Sequence, residues 1–252
     1  ELVGEPGGVL RVAKGERASV EHVNHVIRDA RALRAGVFVR AHGSIPLIAV
    51  SASRFNLSPD DFPVPHGYCS APRHNIPTRD RTFGFAPPDR VRHGPACRVA
   101  GIHGDIKDNP TAQRLIANTA KIAKAYETLN PLAYARHAAW VAANIAPSWT
   151  IAPTPFTSGV VNKANALPYH QDHNVRGLWS AMLVKHDGLV WGGELVLPEL
   201  DLALSLPHGT LILFDGSQLL HGVSPISGPG TRYSIVWYTR TGMDKCLCDY
   251  HK

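Results

Sequence analysis

Thr231-Arg232-Tyr233-Ser234-Ile235-Val236-Trp237-Tyr238-Thr239-Arg240 is the stretch on which the fold turns. Its aromatic and β-branched content marks Arg232–Arg240 as a strand. Side chains alternate between the two faces of a strand. Arg232, Ser234, Val236, Tyr238 and Arg240 therefore share one side, and Tyr233, Ile235, Trp237 and Thr239 the other. The second face is the more apolar and is expected to pack under helices, which leaves the first to line an interior. An arginine facing an interior needs an anion, and its planar fork suits a carboxylate held by two parallel hydrogen bonds. The competing expectation is a structural acid partner, Asp215 or Glu194.

Further strands precede this one at Phe156–Asn162, Leu178–Lys185, Gly193–Leu197, Thr210–Phe214 and Leu219–Val223, separated by Gly, Pro and Asp. Many short strands with such turns indicate a sandwich or barrel. Ahead of them, Asn109-Pro110-Thr111 opens a helix in which Leu115, Ile116, Thr119, Ile122 and Ala123 keep one face apolar to about Thr128. Asn130-Pro131 breaks it, and a second helix runs from Leu132 to about Ile145. The expected class is α+β: a double-stranded β-helix (jelly-roll or cupin-like) core over 151–245, with support helices over 109–147. Residues 1–108 form an N-terminal extension, and the whole of 1–252 is expected to be one domain. Within the extension the spacing predicts a helix over Arg17–Leu33 and short strands at Val37–Arg40 and Leu47–Val50. Between His66 and Arg98 six arginines stand against two acids, among Pro and Gly clusters, which reads as a long Arg-rich surface loop over 66–98.

The 252 residues, 44% hydrophobic and 18% charged, describe an ordinary globular composition. No apolar run approaches the roughly 18 residues of a membrane span, and the N-terminus carries no secretory signal pattern. A formal charge of +6 is compatible with a polyanionic partner. Four cysteines (Cys69, Cys97, Cys246, Cys248) are too few and too scattered for a disulfide framework, so free thiols and a reduced intracellular setting, nuclear or cytoplasmic, are expected. A C-terminal zinc site built on Cys246, Cys248 and His251 is the alternative, and it would need Cys69 or Cys97 brought close.

The polar residues on these strands carry the chemistry. His170-Gln171-Asp172 places two ligand types two residues apart, on one face of an extended segment, and His221 follows fifty-one positions later. Two histidines and one carboxylate form the facial ligand set of non-haem Fe(II) oxygenases, which leaves positions on the metal open. Arg232 stands eleven residues beyond His221. A diacid held by the metal at one end and by Arg232 at the other satisfies both sites, with Ser234 adding a hydroxyl. A histidine on an apolar strand is more often a hydrogen-bonded core residue, so His221 gains its meaning from the other three.

Phe156-Thr157-Ser158-Gly159-Val160-Val161-Asn162, Tyr169-His170-Gln171-Asp172-His173-Asn174, Gly192-Gly193-Glu194-Leu195, Leu219-Leu220-His221-Gly222-Val223-Ser224-Pro225-Ile226 and Arg232-Tyr233-Ser234 together resemble the TET/JBP family. These are Fe(II)/2-oxoglutarate dioxygenases that hydroxylate the 5-methyl group of pyrimidines in nucleic acid. The resemblance spans roughly residues 100–245 and is strongest over 156–240. It implies that His170, Asp172 and His221 hold Fe(II), and that Arg232 and Ser234 hold 2-oxoglutarate, with O₂ as the second cosubstrate. It also implies that Asn174 and Tyr238 meet a flipped base. The position two beyond the stacking aromatic, often His in the family, is Arg240 here. Asn162 or Asn165 contacts cosubstrate or base, without a choice between them. No Cys-rich region of the animal TET proteins is present, as in a compact microbial, phage or protist type.

The implied activity is oxidation of 5-methylcytosine in DNA to 5-hydroxymethylcytosine by a monomer, with base flipping from the duplex and the Arg-rich loop on phosphates. Thymine is the nearest alternative substrate. A 2-oxoglutarate hydroxylase of a nucleoside, small molecule or protein side chain is the next. A non-catalytic jelly-roll module holding a structural metal is the reading from another class.

Overall fold

Alternation between two faces organises the core. The computed structural model describes residues 11–28, 39–41, 45–51, 54–56, 77–89, 96–101, 110–151 and 153–246. In chain order the strands are β1 (His25–Ile27), β2 (Val39–Ala41), β3 (Ile45–Val50), β4 (Asp80–Ala86), β5 (Arg98–Val99), β6 (Ser158–Lys163) and β7 (Ser180–Asp187). They continue with β8 (Trp191–Gly192), β9 (Leu195–Leu197), β10 (Leu202–Leu204), β11 (Leu211–Phe214), β12 (Gly222–Val223), β13 (Ile226–Ser227) and β14 (Thr231–Tyr238). The helices are α1 (Pro110–Leu129) and α2 (Pro131–Asn144).

The major sheet runs β2-β3-β11-β7-β14-β6-β4-β5 and the minor sheet β1-β10-β9-β12, while β13 and β8 pair separately. Met182 and Val184 of β7 and Ile212 and Phe214 of β11 face Leu195, Leu197, Leu202 and Leu204 of the minor sheet, forming the inner core. Their neighbours Ala181, Leu183, Leu211 and Leu213 face the other way, with Ile235 and Trp237, onto Leu115, Ile122 and Tyr126 of α1. Two packed sheets with helices on the outer face of one make a double-stranded β-helix, as the sequence leads one to expect.

Local chemistry sets the helix ends. Asn130 accepts the amide of Ala133 at 3.1 Å with Pro131 in the first turn of α2, a side-chain cap where proline's missing N–H costs nothing. Trp237 donates its indole N–H to Thr119 Oγ1 at 2.9 Å, and Thr119 donates to the carbonyl of Leu115. The outward face of β14 is thereby fastened to α1 by a satisfied polar contact within an apolar layer.

Three expectations are corrected. Residues 17–28 of the Arg17–Leu33 helix form only a single 3₁₀ turn at Val20–His22, followed by β1; residues 29–33 lie outside the described residues. Asn24 donates its amide and side chain to Asp201, and the His25 amide bonds the Asp201 carbonyl. β1 is thus drawn alongside β10, so tertiary pairing overrides a helical spacing made largely of β-branched valines.

The Arg-rich loop contains the seven-residue strand β4, paired with β6. Phe83 and Phe85 are buried, and the Phe83 ring covers Gly159, its cross-strand partner. An aromatic over a glycine suits a strand pair well. Residues 66–76 and 90–95 lie outside the described residues.

Finally, Cys97 and Cys246 form a disulfide with Cα atoms 5.8 Å apart. Cys246 is therefore not a zinc ligand, and one ground for expecting free thiols in a reduced setting is withdrawn. Cys69, Cys248 and His251 lie outside the described residues. Among the described residues no helix is long and apolar enough to cross a membrane.

His137 of α2 is fully buried and donates from Nε2 to Thr239 Oγ1 at 2.8 Å, because the Thr239 hydroxyl is itself spent on the Pro155 carbonyl. Burial pushes its pKa from 6.5 to about 3. Between those values the unfolded chain binds a proton that the folded protein refuses, so stability rises with pH across that window and is lost as pH falls through it. His137 contributes a slope of about 1.4 kcal/mol per pH unit. Melting curves from pH 6.5 to 3 should show a shallower loss in His137→Leu than in wild type.

Candidate metal and cosubstrate site

The two histidines are joined through their backbones before any metal is considered. The His170 amide donates to the His221 carbonyl at 2.9 Å and the His221 amide to the His170 carbonyl at 3.0 Å, an isolated antiparallel bridge. His221 therefore sits just before β12 rather than within a Leu219–Val223 strand; only Gly222 and Val223 of that stretch pair with β9. Each imidazole donates Nδ1–H to a carbonyl two residues back, His170 to Pro168 at 2.8 Å and His221 to Leu219 at 2.9 Å. A carbonyl can only accept, so both Nε2 atoms keep their lone pairs for a metal.

Asp172 completes the set. Its Oδ1 lies 3.6 Å from His170 Nε2 and its Oδ2 3.9 Å from His221 Nε2. The three ligand atoms all lie within 4.8 Å of one another, close enough for small side-chain shifts to gather them on one ion with bonds of about 2.0–2.2 Å. The Asp172 amide is tied to the Gly216 carbonyl at 2.8 Å, and a Cβ on Gly216 would collide with the carboxylate. Phe214 presents its ring edge-on to His221, centroids 5.1 Å apart.

Beyond the triad, a cavity of about 590 Å³ opens between the sheets, lined by Asn162, Ser180, Ser234, Tyr238 and Arg240 among others. Arg232 is only 2% exposed, and its Nε and Nη2 are buried without a hydrogen-bond partner. Burial lowers its pKa to about 10 against the opposing pull of Glu194, so the side chain remains a cation at neutral pH. The acids proposed as its structural partners are otherwise engaged. Glu194 Oε2 holds Ser224 Oγ in a short hydrogen bond, and its Oε1 lies 3.7 Å from Arg28 Nη1. Asp215 accepts from Ser217, Gln218 and the Gly177 amide. Gly193, with φ +73°, leaves the space along which the Arg232 stem runs; a Cβ there would stand 2.7 Å from Cδ. An orphaned buried guanidinium fits a carboxylate, and the two-histidine, one-carboxylate donor set fits Fe(II).

The other candidate residues are placed as follows. Ser234 lines the cavity two residues from Arg232 and is met by Asn162 Nδ2 at 3.4 Å. Asn165 exchanges hydrogen bonds with the Arg79 main chain at 2.9 and 3.0 Å and donates to Asn162 Oδ1 at 3.2 Å, pinning the start of β4 beside the cavity. Asn174 donates to Asp172 Oδ2 at 3.2 Å and to Ser180 Oγ at 3.0 Å; its amide nitrogen orients a ligand of the triad. Tyr238 is half-buried in the cavity wall and Arg240 exposed at its rim. Ser180, Thr82 and Phe214 also line the cavity and escape sequence reasoning. Their only signal is position on strands, and the sequence around β4 reads as a loop.

No family model matches the chain, and no curated protein matches it. Among solved structures, the chain is similar to NgTET1 in complex with 5mC DNA, at a TM-score of 0.55 and 15% identity over 82% of this chain and 77% of that one. It is more loosely similar to an oxidoreductase of the 2OG-Fe(II) oxygenase family from Burkholderia pseudomallei (TM-score 0.44, 11% identity, 80% and 88% covered). A third is the viral collagen prolyl hydroxylase of Paramecium Bursaria Chlorella virus-1 in its 2OG complex (TM-score 0.27, 21% identity, 34% and 60% covered). The NgTET1 likeness shows the fold; the other two are too distant to add to it.

Metal titration tests the triad directly. His170→Ala and Asp172→Ala should abolish Mn(II) binding. Asn174→Ala and Gly216→Ala should weaken it roughly tenfold by disturbing the orientation of Asp172, with melting temperatures of the metal-free proteins little changed.

Proposed function

We propose that the chain is an Fe(II)/2-oxoglutarate-dependent dioxygenase that oxidises the 5-methyl group of 5-methylcytosine in DNA to 5-hydroxymethylcytosine. The observation that carries the oxygenase reading is the pairing of a chelating His/Asp/His set with an unpartnered buried arginine on the same interior. A structural metal alone does not require Arg232 to be left without an anion. His170, Asp172 and His221 hold the metal, and Arg232 with Ser234 holds the far carboxylate of 2-oxoglutarate. Bound Fe(II) and 2-oxoglutarate supply the oxidising power, coupling O₂ reduction and loss of CO₂ to hydroxylation of a C–H bond.

The chain's own residues supply orientation and dryness. The Nδ1 hydrogen bonds hold both imidazoles in the ligating tautomer, Asn174 steadies the carboxylate, and Met182, Leu195, Phe214 and Val236 wall the interior against water. The choice of 5-methylcytosine is supported by the motif resemblance and by the fold shared with NgTET1. It is also supported by the rim residues: Tyr238 offers a ring face for a base and Arg240 a cation for its edge or a flanking phosphate. Asn162 lies close enough to Ser234 to serve the cosubstrate. Asn174, with its amide committed to Asp172, serves the metal before the base.

The deciding assay incubates the protein with Fe(II), 2-oxoglutarate and duplexes that are methylated, unmethylated or carry thymine as the only methylated base, followed by nucleoside mass spectrometry. We expect 5-hydroxymethylcytosine from the methylated duplex and none from His170→Ala. Oxidised thymine alone would reassign the base. Succinate formation with free nucleosides but not with duplexes would reassign the substrate class. Arg232→Ala should raise the 2-oxoglutarate requirement at least tenfold while Mn(II) binding persists.

A further inference from the structure

The interior holds another unsatisfied group beside Arg232. In the β7–β14 pair, Arg232 stands directly opposite His186, and paired residues of antiparallel strands project to the same side. Along β7 the same side carries Ser180 and Met182, which line the cavity, and then Val184 of the inner core. His186 follows as the next inward position, as Arg232 follows Ser234 on β14. Its Nε2 is buried without a partner, like Nε and Nη2 of Arg232. Three orphaned nitrogens on two adjacent side chains is a costly arrangement, because each has given up water without gaining a partner.

The surroundings are positive. Arg232 from β14, His208 from the turn before β11 and Arg54 from the segment after β3 all act on His186. His208 is fixed there by its Nδ1, 3.1 Å from the His186 amide and 2.9 Å from its carbonyl. Glu194 acts on Arg232 and is already held by Ser224. Among the described residues no acid acts on His186. A site with three orphaned nitrogens and no acid of its own suits an anion with two oxygens, one for each side chain.

We propose that His186 binds the distal carboxylate of the diacid cosubstrate alongside Arg232, donating Nε2–H to one carboxylate oxygen, and so selects a dicarboxylate over a shorter 2-oxo acid. This rests on the reading of the site as an Fe(II)/2-oxoglutarate centre and deepens it. Burial, Arg232, His208 and Arg54 hold His186 near pH 4 in the absence of ligand, so it is neutral at pH 7. An arriving carboxylate supplies the missing negative charge and favours the protonated ring. Diacid binding therefore takes up protons and tightens as pH falls from 8 to 6.

Calorimetric titration of the full chain loaded with Mn(II) tests this, using 2-oxoglutarate and pyruvate as ligands and His186→Phe and His186→Gln as variants. His186→Phe should weaken 2-oxoglutarate at least tenfold and leave pyruvate unchanged. His186→Gln, whose amide N–H can reach the same oxygen, should recover most of that affinity without the proton uptake. Equal 2-oxoglutarate affinity in wild type and His186→Phe, at equal melting temperature, overturns the proposal. If His186→Phe does not fold, proton uptake decides: uptake retained by His186→Gln overturns the proposal and uptake lost supports it. A wild-type protein that binds Mn(II) but not 2-oxoglutarate instead refutes the cosubstrate reading beneath it.

Discussion

Two main-chain hydrogen bonds between His170 and His221 are the constraint on which the site depends. They join residues fifty-one apart in sequence and set their rings 4.4 Å apart, centroid to centroid, with both Nε2 atoms facing Asp172. Backbone pairing of this kind carries less conformational freedom than side chains converging from separate loops. Everything near the bridge reinforces it. Tyr169, just before His170, is buried, and its hydroxyl lies 2.9 Å from His22 Nδ1. Gly222, just after His221, packs against Ala18 and Tyr169 so closely that a Cβ would not fit. The N-terminal segment is thus part of the scaffold that holds the ligands.

β14 couples this scaffold to the helices. Its outward residues are locked by Thr119 and the apolar layer over α1, which fixes the strand's rotation. That fixed rotation sends Arg232 inward, where it is 2% exposed and lacks any fully committed anion. Desolvating a guanidinium without pairing it is expensive. A fold that retains such a group draws the cost back when an anion binds.

Much of this was legible in the sequence because it follows from short-range periodicity. The face assignment of Arg232, Ser234 and Trp237 needed only alternation, and α1 and α2 needed only their proline and asparagine punctuation. What escaped depends on partners distant in the chain. β1 exists because Asp201 holds Asn24, and β4 because Phe83 covers Gly159; neither contact leaves a local trace. The family resemblance places Asn174 at a flipped base; its hydrogen bond to the Asp172 carboxylate, made across one intervening residue, is a contact that the resemblance does not reveal. His186 carries no motif at all. Its relation to Arg232 is a matter of strand register, which a single sequence does not reveal.

The disulfide between Cys97 and Cys246 divides the chain into a covalent ring and a tail. The ring contains β5 through β14 and both helices, and with them all three metal ligands, Arg232 and His186. The tail supplies β1 to β4: β1 at one edge of the minor sheet, β2 and β3 at one edge of the major sheet, and β4 between β6 and β5, both strands of the ring. Closing a loop of 149 residues removes about 5 kcal/mol of freedom from the unfolded chain, and the loop so closed carries His170, Asp172, His221 and Arg232. The tail stands outside the bond and adds β1 to β3 at the sheet edges and β4 between two strands of the ring. The protein is in this sense a cyclised core with linear strands added to it, and the disulfide fastens the segment that carries His170, Asp172 and His221 while the N-terminal strands hold by hydrogen bonds and packing.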